Sequence, residues 1–226
     1  MTNRKIITLP LATIIFVMFF LILILIPIVI SGAFRMLGFR PWLTFLLFFL
    51  SLVGSVVNIP VYSFKIKSPV RKPRGGLLTD LLYPRRSLSY RERRSTIAVN
   101  LGGAVIPVLI SVYLIAENPH LAWQYLVGTG IVTVICYRLA RPVPGVGISM
   151  PLLIPPIAAA IVAIFLPGSP TQAIAYVSGV NGVIIGADLL NLKKTIGLGS
   201  TTLSIGGAGT FDGIFLTGIV AVFLTA

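Results

Sequence analysis

Charge of either sign is scarce in this sequence, and acid is scarcest. Charged residues make up 10% of 226 positions and hydrophobic ones 56%, with a mean hydropathy of +1.01. A soluble domain carries about 25% charged residues to cover its surface. The shortage argues against an ordinary water-soluble globule and points to an integral membrane protein. The single cysteine, Cys136, excludes an internal disulfide; lying in an apolar run, it reads as a small packed side chain. The single histidine, His120, sits in the turn "ENPH" with no partner at metal-ligand spacing, so no metal site and no cofactor is expected. Ser200 and Ser204 are thereby left without a base inside the membrane, which argues against a serine hydrolase. The glycine-rich stretches "PVPGVG" and "GLGSTTLSIGG" lack the Gly-Lys-Ser/Thr ending of a phosphate loop and the context of a dinucleotide fingerprint.

What the sequence has in abundance is long apolar runs. A helix rising 1.5 Å per residue needs about 20 residues to cross a hydrocarbon core of roughly 30 Å. The runs are continuously apolar rather than alternating, which favours helices over a barrel. Spans are predicted at about 9–31, 41–61, 96–116, 121–139, 146–166 and 172–192, with a seventh from the glycine-rich hinge to Ala226. The first run follows Arg4 and Lys5 but exceeds the 7–15 residues of a signal-peptide core, so a retained first helix is expected. The fold class predicted is all-α: a polytopic transmembrane bundle of about seven spans, one membrane domain over 1–226 with a basic cytoplasmic loop at 62–95.

The basic residues orient the bundle. The stretch "KIKSPVRKPRGGLLTDLLYPRRSLSYRERR", Lys65 to Arg94, holds ten Lys or Arg against Asp80 and Glu92. Such loops stay in the cytoplasm. Counting outward from it puts the N-terminus, Arg138, Arg141, Lys193 and Lys194 inside, and "ENPH", "PGSP" and the C-terminus outside. Of the 18 basic residues, Arg35 and Arg40 alone fall on the other side. The net charge of +13 is concentrated in that loop without interleaved stacking aromatics. It therefore reads as attraction to the anionic lipid headgroups of a plasma membrane, not as nucleic-acid binding.

Two of the five acidic residues, Asp188 and Asp212, stand at the edges of apolar segments six and seven. In this frame both lie near the cytoplasmic ends of consecutive helices. Phe211 to Ala226 is only 16 residues, so the seventh span is expected to begin near Gly206 and to draw Asp212 into the membrane. A carboxylate at that depth costs about 2.5–3.5 kcal/mol on insertion scales and usually faces a cavity, a partner or a pathway. Gly182 with Gly186, and Gly209 with Gly213, are pairs of small residues that permit close helix approach. Asn181, on nearly the same helical face as Asp188, is a candidate hydrogen-bond donor to it.

"GADLL" around Asp188 and "GAGTFDGIFLTG" around Asp212 resemble the GxGD intramembrane aspartyl proteases, the presenilin and signal peptide peptidase group. There one aspartate lies on an outside-to-inside helix and the second follows a Gly-x-Gly on the next. In this chain Thr210 and Phe211 separate Gly207-Ala208-Gly209 from Asp212. The resemblance implies Asp188 and Asp212 as catalytic residues, Asn181, Gly207 and Gly209 as substrate- or loop-binding residues, and a membrane helix as substrate. Over its whole length the chain resembles an uncharacterised family of small prokaryotic multi-spanning proteins.

Two other readings of the same residues stand beside it. A cation or proton-coupled carrier would use the paired acids and a fifth span interrupted by Pro151, Pro155 and Pro156. In a non-catalytic scaffold, Asp188 would pair with Lys193 or Lys194 and Asp212 would cap the seventh helix.

Overall fold

The computed structural model describes residues 4–70, 89–143, 147–196, 202–207 and 213–226. Helices dominate. They are α1 (Arg4–Met36), α2 (Pro41–Gly54), α3 (Ile106–Glu117), α4 (Ala122–Leu139), α5 (Ile154–Phe165), α6 (Thr171–Val183), α7 (Leu192–Ile196) and α8 (Gly213–Leu224). Two π turns, Leu101–Val105 and Ile184–Leu189, lead into α3 and prolong α6.

Helix α6 is the centre of the bundle, buried from Ala173 to Val180 on every side. Its sequence suits that place: Ala173, Ala175, Ser178, Gly179 and Gly182 are small, so helices can pack against it from several sides. Glycines let its neighbours come close. A Cβ on Gly182 would lie 2.5 Å from Val132 Cγ1, and one on Gly186 would lie 2.3 Å from the Thr133 carbonyl, both on α4. On the reverse face Gly179 meets Ala159 of α5 and Thr217 of α8, and Gly218 of α8 receives the Tyr176 ring. The small-residue pair Gly182 and Gly186 is thus an α4–α6 seam, as close packing of such pairs leads one to expect.

The all-α expectation is corrected by a sheet. Strands β1 (Asn58–Val70) and β2 (Ser89–Asn100) pair antiparallel from Asn58 opposite Asn100 to Val70 opposite Ser89. Strand β5 (Thr202–Ile205) joins β2 in parallel, Thr96 opposite Thr202, giving the order β1-β2-β5. A short hairpin, β3 (Arg141–Val143) with β4 (Gly147–Ser149), precedes α5. The segment expected as a loop at 62–95 therefore begins and ends as paired strands, 62–70 against 89–95, with 71–88 outside the described residues. Local chemistry suits it: the Tyr62 and Phe64 rings stack at 6.0 Å, and the Ser63 and Thr96 hydroxyls meet across the strands at 3.1 Å. Pro60, unable to donate, sits on the edge strand where the register shifts.

The sheet takes residues from two expected spans, since α2 ends at Gly54 and helix resumes only after Asn100. Each of the seven expected segments contains a helix, but most are short. At 14 residues α2 is about 21 Å long, and at 12 residues α5 and α8 are about 18 Å. Among the described residues one helix, Thr13–Met36, is long and apolar enough to cross a membrane; the pair Leu101–Glu117 and Pro119–Leu139 would count as a second if its 103° bend lies within one span.

The turns expected on one side do share one end of the bundle. His120 Nε2 lies 3.3 Å from the Ser169 carbonyl, Gln124 donates to the Pro167 carbonyl at 2.6 Å, and Gln172 donates to the Thr225 carbonyl at 3.1 Å. Lys194 of α7, which follows the π-extended α6, and Tyr137 at the C-terminal end of α4 meet at 3.3 Å. Thus "ENPH", "PGSP" and the C-terminus gather together, and the second π turn belongs to the opposite end.

Candidate functional site

Asp188 lies in the π turn Ile184–Leu189, closed by the Leu190 N–H donating to the Ile185 carbonyl at 3.0 Å. Such wide turns inside helices are frequent at functional sites. The carbonyls they leave over need partners. Asn191, wholly buried, supplies one through its Nδ2, which donates to the Gly186 carbonyl at 3.0 Å. Its Oδ1 accepts from Lys194 Nζ at 2.9 Å, and that ammonium also lies 4.5 Å above the Tyr137 ring.

One carboxylate oxygen of Asp188, Oδ2, accepts the Gly206 backbone N–H at 3.0 Å. Gly206 and Gly207 follow β5 with φ of 82° and 78°, a left-handed pair that only glycine adopts readily. Gly206 is also pressed on the first π turn. A Cβ there would lie 2.6 Å from Ala104 Cβ and 2.7 Å from Ala104 N, and one on Gly103 would lie 2.2 Å from the Gly206 carbonyl. The glycine turn is thus clamped between both π turns, with its amide aimed at Asp188.

Two cavities adjoin Asp188 and share it, with Ile148 of β4, as a common wall. The larger, about 270 Å³, is bordered by Thr195, by Thr202 to Ile205 of β5 and by Gly207. The smaller, about 170 Å³, is bordered by Met150, Pro155, Val183 and Ala187, and by Gly213, Ile214 and Thr217 of α8. Asp188 is the one titratable group among the described residues that line them. Among the described residues there is no cluster of three His, Cys, Asp or Glu that would hold a metal ion.

The residues predicted for a site separate as follows. Asp188 and Gly207 border the same cavity. Asn181 is half-buried and borders neither cavity; it lies seven residues before Asp188, about 10 Å of helix rise. Asp212 and Gly209 lie outside the described residues; Gly213, which follows Asp212 in the chain, borders the smaller cavity. Sequence reasoning missed Gly206, Asn58, Asn100, Ser204 and Asn191. The adjacent glycines after a β-branched run and the Asn before "LGG" were the available signals, of a left-handed turn and of a capped helix start.

These features define a mostly helical protein with one aspartate set between two cavities. A family model covers residues 52–224, and the chain belongs to that family, described as protein of unknown function (DUF1614). No curated protein and no solved structure matches the chain.

Proposed function

We propose that the protein is a multi-pass protein of the plasma membrane and that Asp188 and Asp212 form an aspartyl-type hydrolytic pair acting on apolar polypeptide. Support for the membrane comes from the outer surface. Large apolar side chains stand exposed all round the bundle, among them Trp42, Trp123, Leu126 (71%), Ile164 and Phe165 (83%), as does the outer part of α1 from Ile14 to Leu21. A soluble monomer rarely exposes so continuous an apolar surface. The short helices would be completed by the sheet and turns that pack at their ends. The basic ribbon, with exposed Lys65 opposite Arg94, would lie against anionic headgroups on the cytoplasmic side.

The observation that carries the hydrolase reading is the position of Asp188 in the wall between two cavities, the smaller of which is bordered by the residue after Asp212. Two carboxylates about 3 Å apart share one proton. The ionised one takes a proton from water as the water oxygen bonds to the scissile carbonyl carbon. The protonated one gives its proton to the carbonyl oxygen. The tetrahedral gem-diol then collapses, the C–N bond breaks with a proton delivered to nitrogen, and a carboxylic acid and an amine leave. In this reading Asp188, whose Oδ2 accepts the Gly206 N–H, takes the base role and Asp212 the acid role.

A proton- or cation-coupled carrier is the second reading. Its support is the pair of buried hydroxyls on Thr133 of α4 and Ser178 of α6, the latter facing Gly128 of α4, which make no hydrogen bond among the described residues. The test is cleavage of a quenched fluorescent apolar helical peptide in proteoliposomes by wild type, Asp188→Asn and Asp212→Asn. Loss of a general acid or base costs about 100-fold or more. Cleavage that falls so far in both variants upholds the hydrolase. A folded wild type that cleaves nothing while moving protons down a pH gradient transfers the site to the carrier, and equal cleavage by Asp188→Asn refutes both catalytic assignments.

A further inference from the structure

Asn100 is wholly buried, and its amide is fully engaged. Its Oδ1 accepts the Gly103 N–H at 2.7 Å, which caps the first π turn; its Nδ2 donates to the Ser55 carbonyl at 2.7 Å and to Asn58 Oδ1 at 3.2 Å. This fixes both amides. With Asn100 Oδ1 held by an N–H, its Nδ2 faces Asn58, so Asn58 must present oxygen. Asn58 Oδ1 also lies 2.6 Å from Ser204 Oγ, and the same Ser204 hydroxyl contacts the Gly207 carbonyl. One hydroxyl proton therefore serves two acceptors, one on the base of the β-ribbon and one on the glycine turn.

The turn needs such restraint. Gly206 and Gly207 can adopt their left-handed φ values because they lack a Cβ, but the same freedom lets them leave. Ser204 closes the turn from its own strand, and Asn58 and Asn100 hold Ser204 and the Gly103–Ala104 floor in one network. The group so restrained is the Gly206 N–H on Asp188. We propose that Asn58, Asn100 and Ser204 are positioning residues that hold the Gly206 amide on the Asp188 carboxylate, making the base of the basic ribbon part of the Asp188 site. The positioning stands on these contacts alone; its catalytic consequence rests on the hydrolase reading.

The experiment measures exchange of the Gly206 amide hydrogen by NMR in lipid nanodiscs. Labelling with 13C-carbonyl isoleucine and 15N-glycine selects the Ile-Gly pairs, and an Ile205→Val variant identifies the one at Gly206. Ser204→Ala is expected to speed exchange about fivefold, the factor that one ordinary hydrogen bond is worth. Ser204→Thr, which keeps the hydroxyl, restores the wild-type rate, and Asn58→Ala, at an exposed position, acts like Ser204→Ala. Asp188→Asn speeds exchange as well. In the double variant with Ser204→Ala the two effects combine to less than their product, because both act through one bond. Unchanged exchange in Ser204→Ala, or full multiplication in the double variant, overturns the proposal. Where cleavage is observed, Ser204→Ala lowers kcat with KM unchanged. Where it is not, the exchange result still decides the positioning.

Discussion

Replacing Gly206 by alanine joins two costs at one atom. At φ 82° an L-residue pays for the left-handed conformation, about 1–2 kcal/mol. The new Cβ would stand 2.6 Å from Ala104 Cβ and 2.7 Å from Ala104 N, well inside van der Waals contact and partly against backbone that cannot rotate away. Overpacking of that kind costs about 1–3 kcal/mol. The sum, roughly 2–5 kcal/mol, lowers the melting temperature by about 4–20 °C at the 2–4 °C per kcal/mol typical of chains of 150–250 residues. Gly213 supplies the internal control. A Cβ there meets nothing within 4 Å among the described residues, and its φ is not left-handed, so Gly213→Ala should be neutral or stabilise by up to about 1 kcal/mol. Cys136 is the chain's one cysteine and is fully buried, so the appearance of a reactive thiol on heating in detergent reports unfolding. A Gly206→Ala protein that melts within about 2 °C of wild type would refute the clamping of the glycine turn between the two π turns.

Other substitutions test the remaining parts. Gly186→Ala should cost about 1–3 kcal/mol in the same thiol assay, because its Cβ would lie 2.3 Å from the Thr133 carbonyl at the α4–α6 seam. Asn100→Leu strands the Gly103 N–H and the Ser55 carbonyl in a buried site, at roughly 1–3 kcal/mol for each group left unpaired, and should melt far below wild type. Lys194→Met should cost about 1–3 kcal/mol, because it leaves Oδ1 of the buried Asn191 without its ammonium donor, while the exposed contact with the Tyr137 ring adds little. A His120→Cys, Ser169→Cys pair in a Cys136→Ala background should be joined by a short bismaleimide, because the side chain of residue 120 reaches the backbone of residue 169. No cross-link would mean that the two turns do not share an end of the bundle.

Much of this architecture was legible because apolar runs and punctuation are local signals. The breaks at "ENPH" and "PGSP" both fall between helices, and Gly182 and Gly186 do meet α4 through backbone and side chain. The β-ribbon was not legible in the same way. Ten basic residues between Lys65 and Arg94 drew a loop reading, although "VYSF" and "STIAV" carry the β-branched and aromatic residues of strands. Strand β5 was harder still, since its parallel partner Thr96–Val99 lies more than a hundred residues earlier. Asp188 stood out as an acid in an apolar run, whereas Gly206, Asn58, Asn100 and Ser204 reach it only through contacts that the sheet creates. The π turns depend on the same contacts: Asn100 caps one, and Asn191 satisfies a carbonyl of the other.

The most direct test of the paired-aspartate centre is the distance between residues 188 and 212. In a Cys136→Ala background, Asp188→Cys with Asp212→Cys places a thiol at each position, and a disulfide requires Cα atoms within about 7 Å. The account predicts rapid, near-complete disulfide formation in lipid, slowed when the protein is unfolded first. Two thiols that remain free under oxidation, each still labelled by a small reagent, would separate the carboxylates and contradict a shared-proton pair.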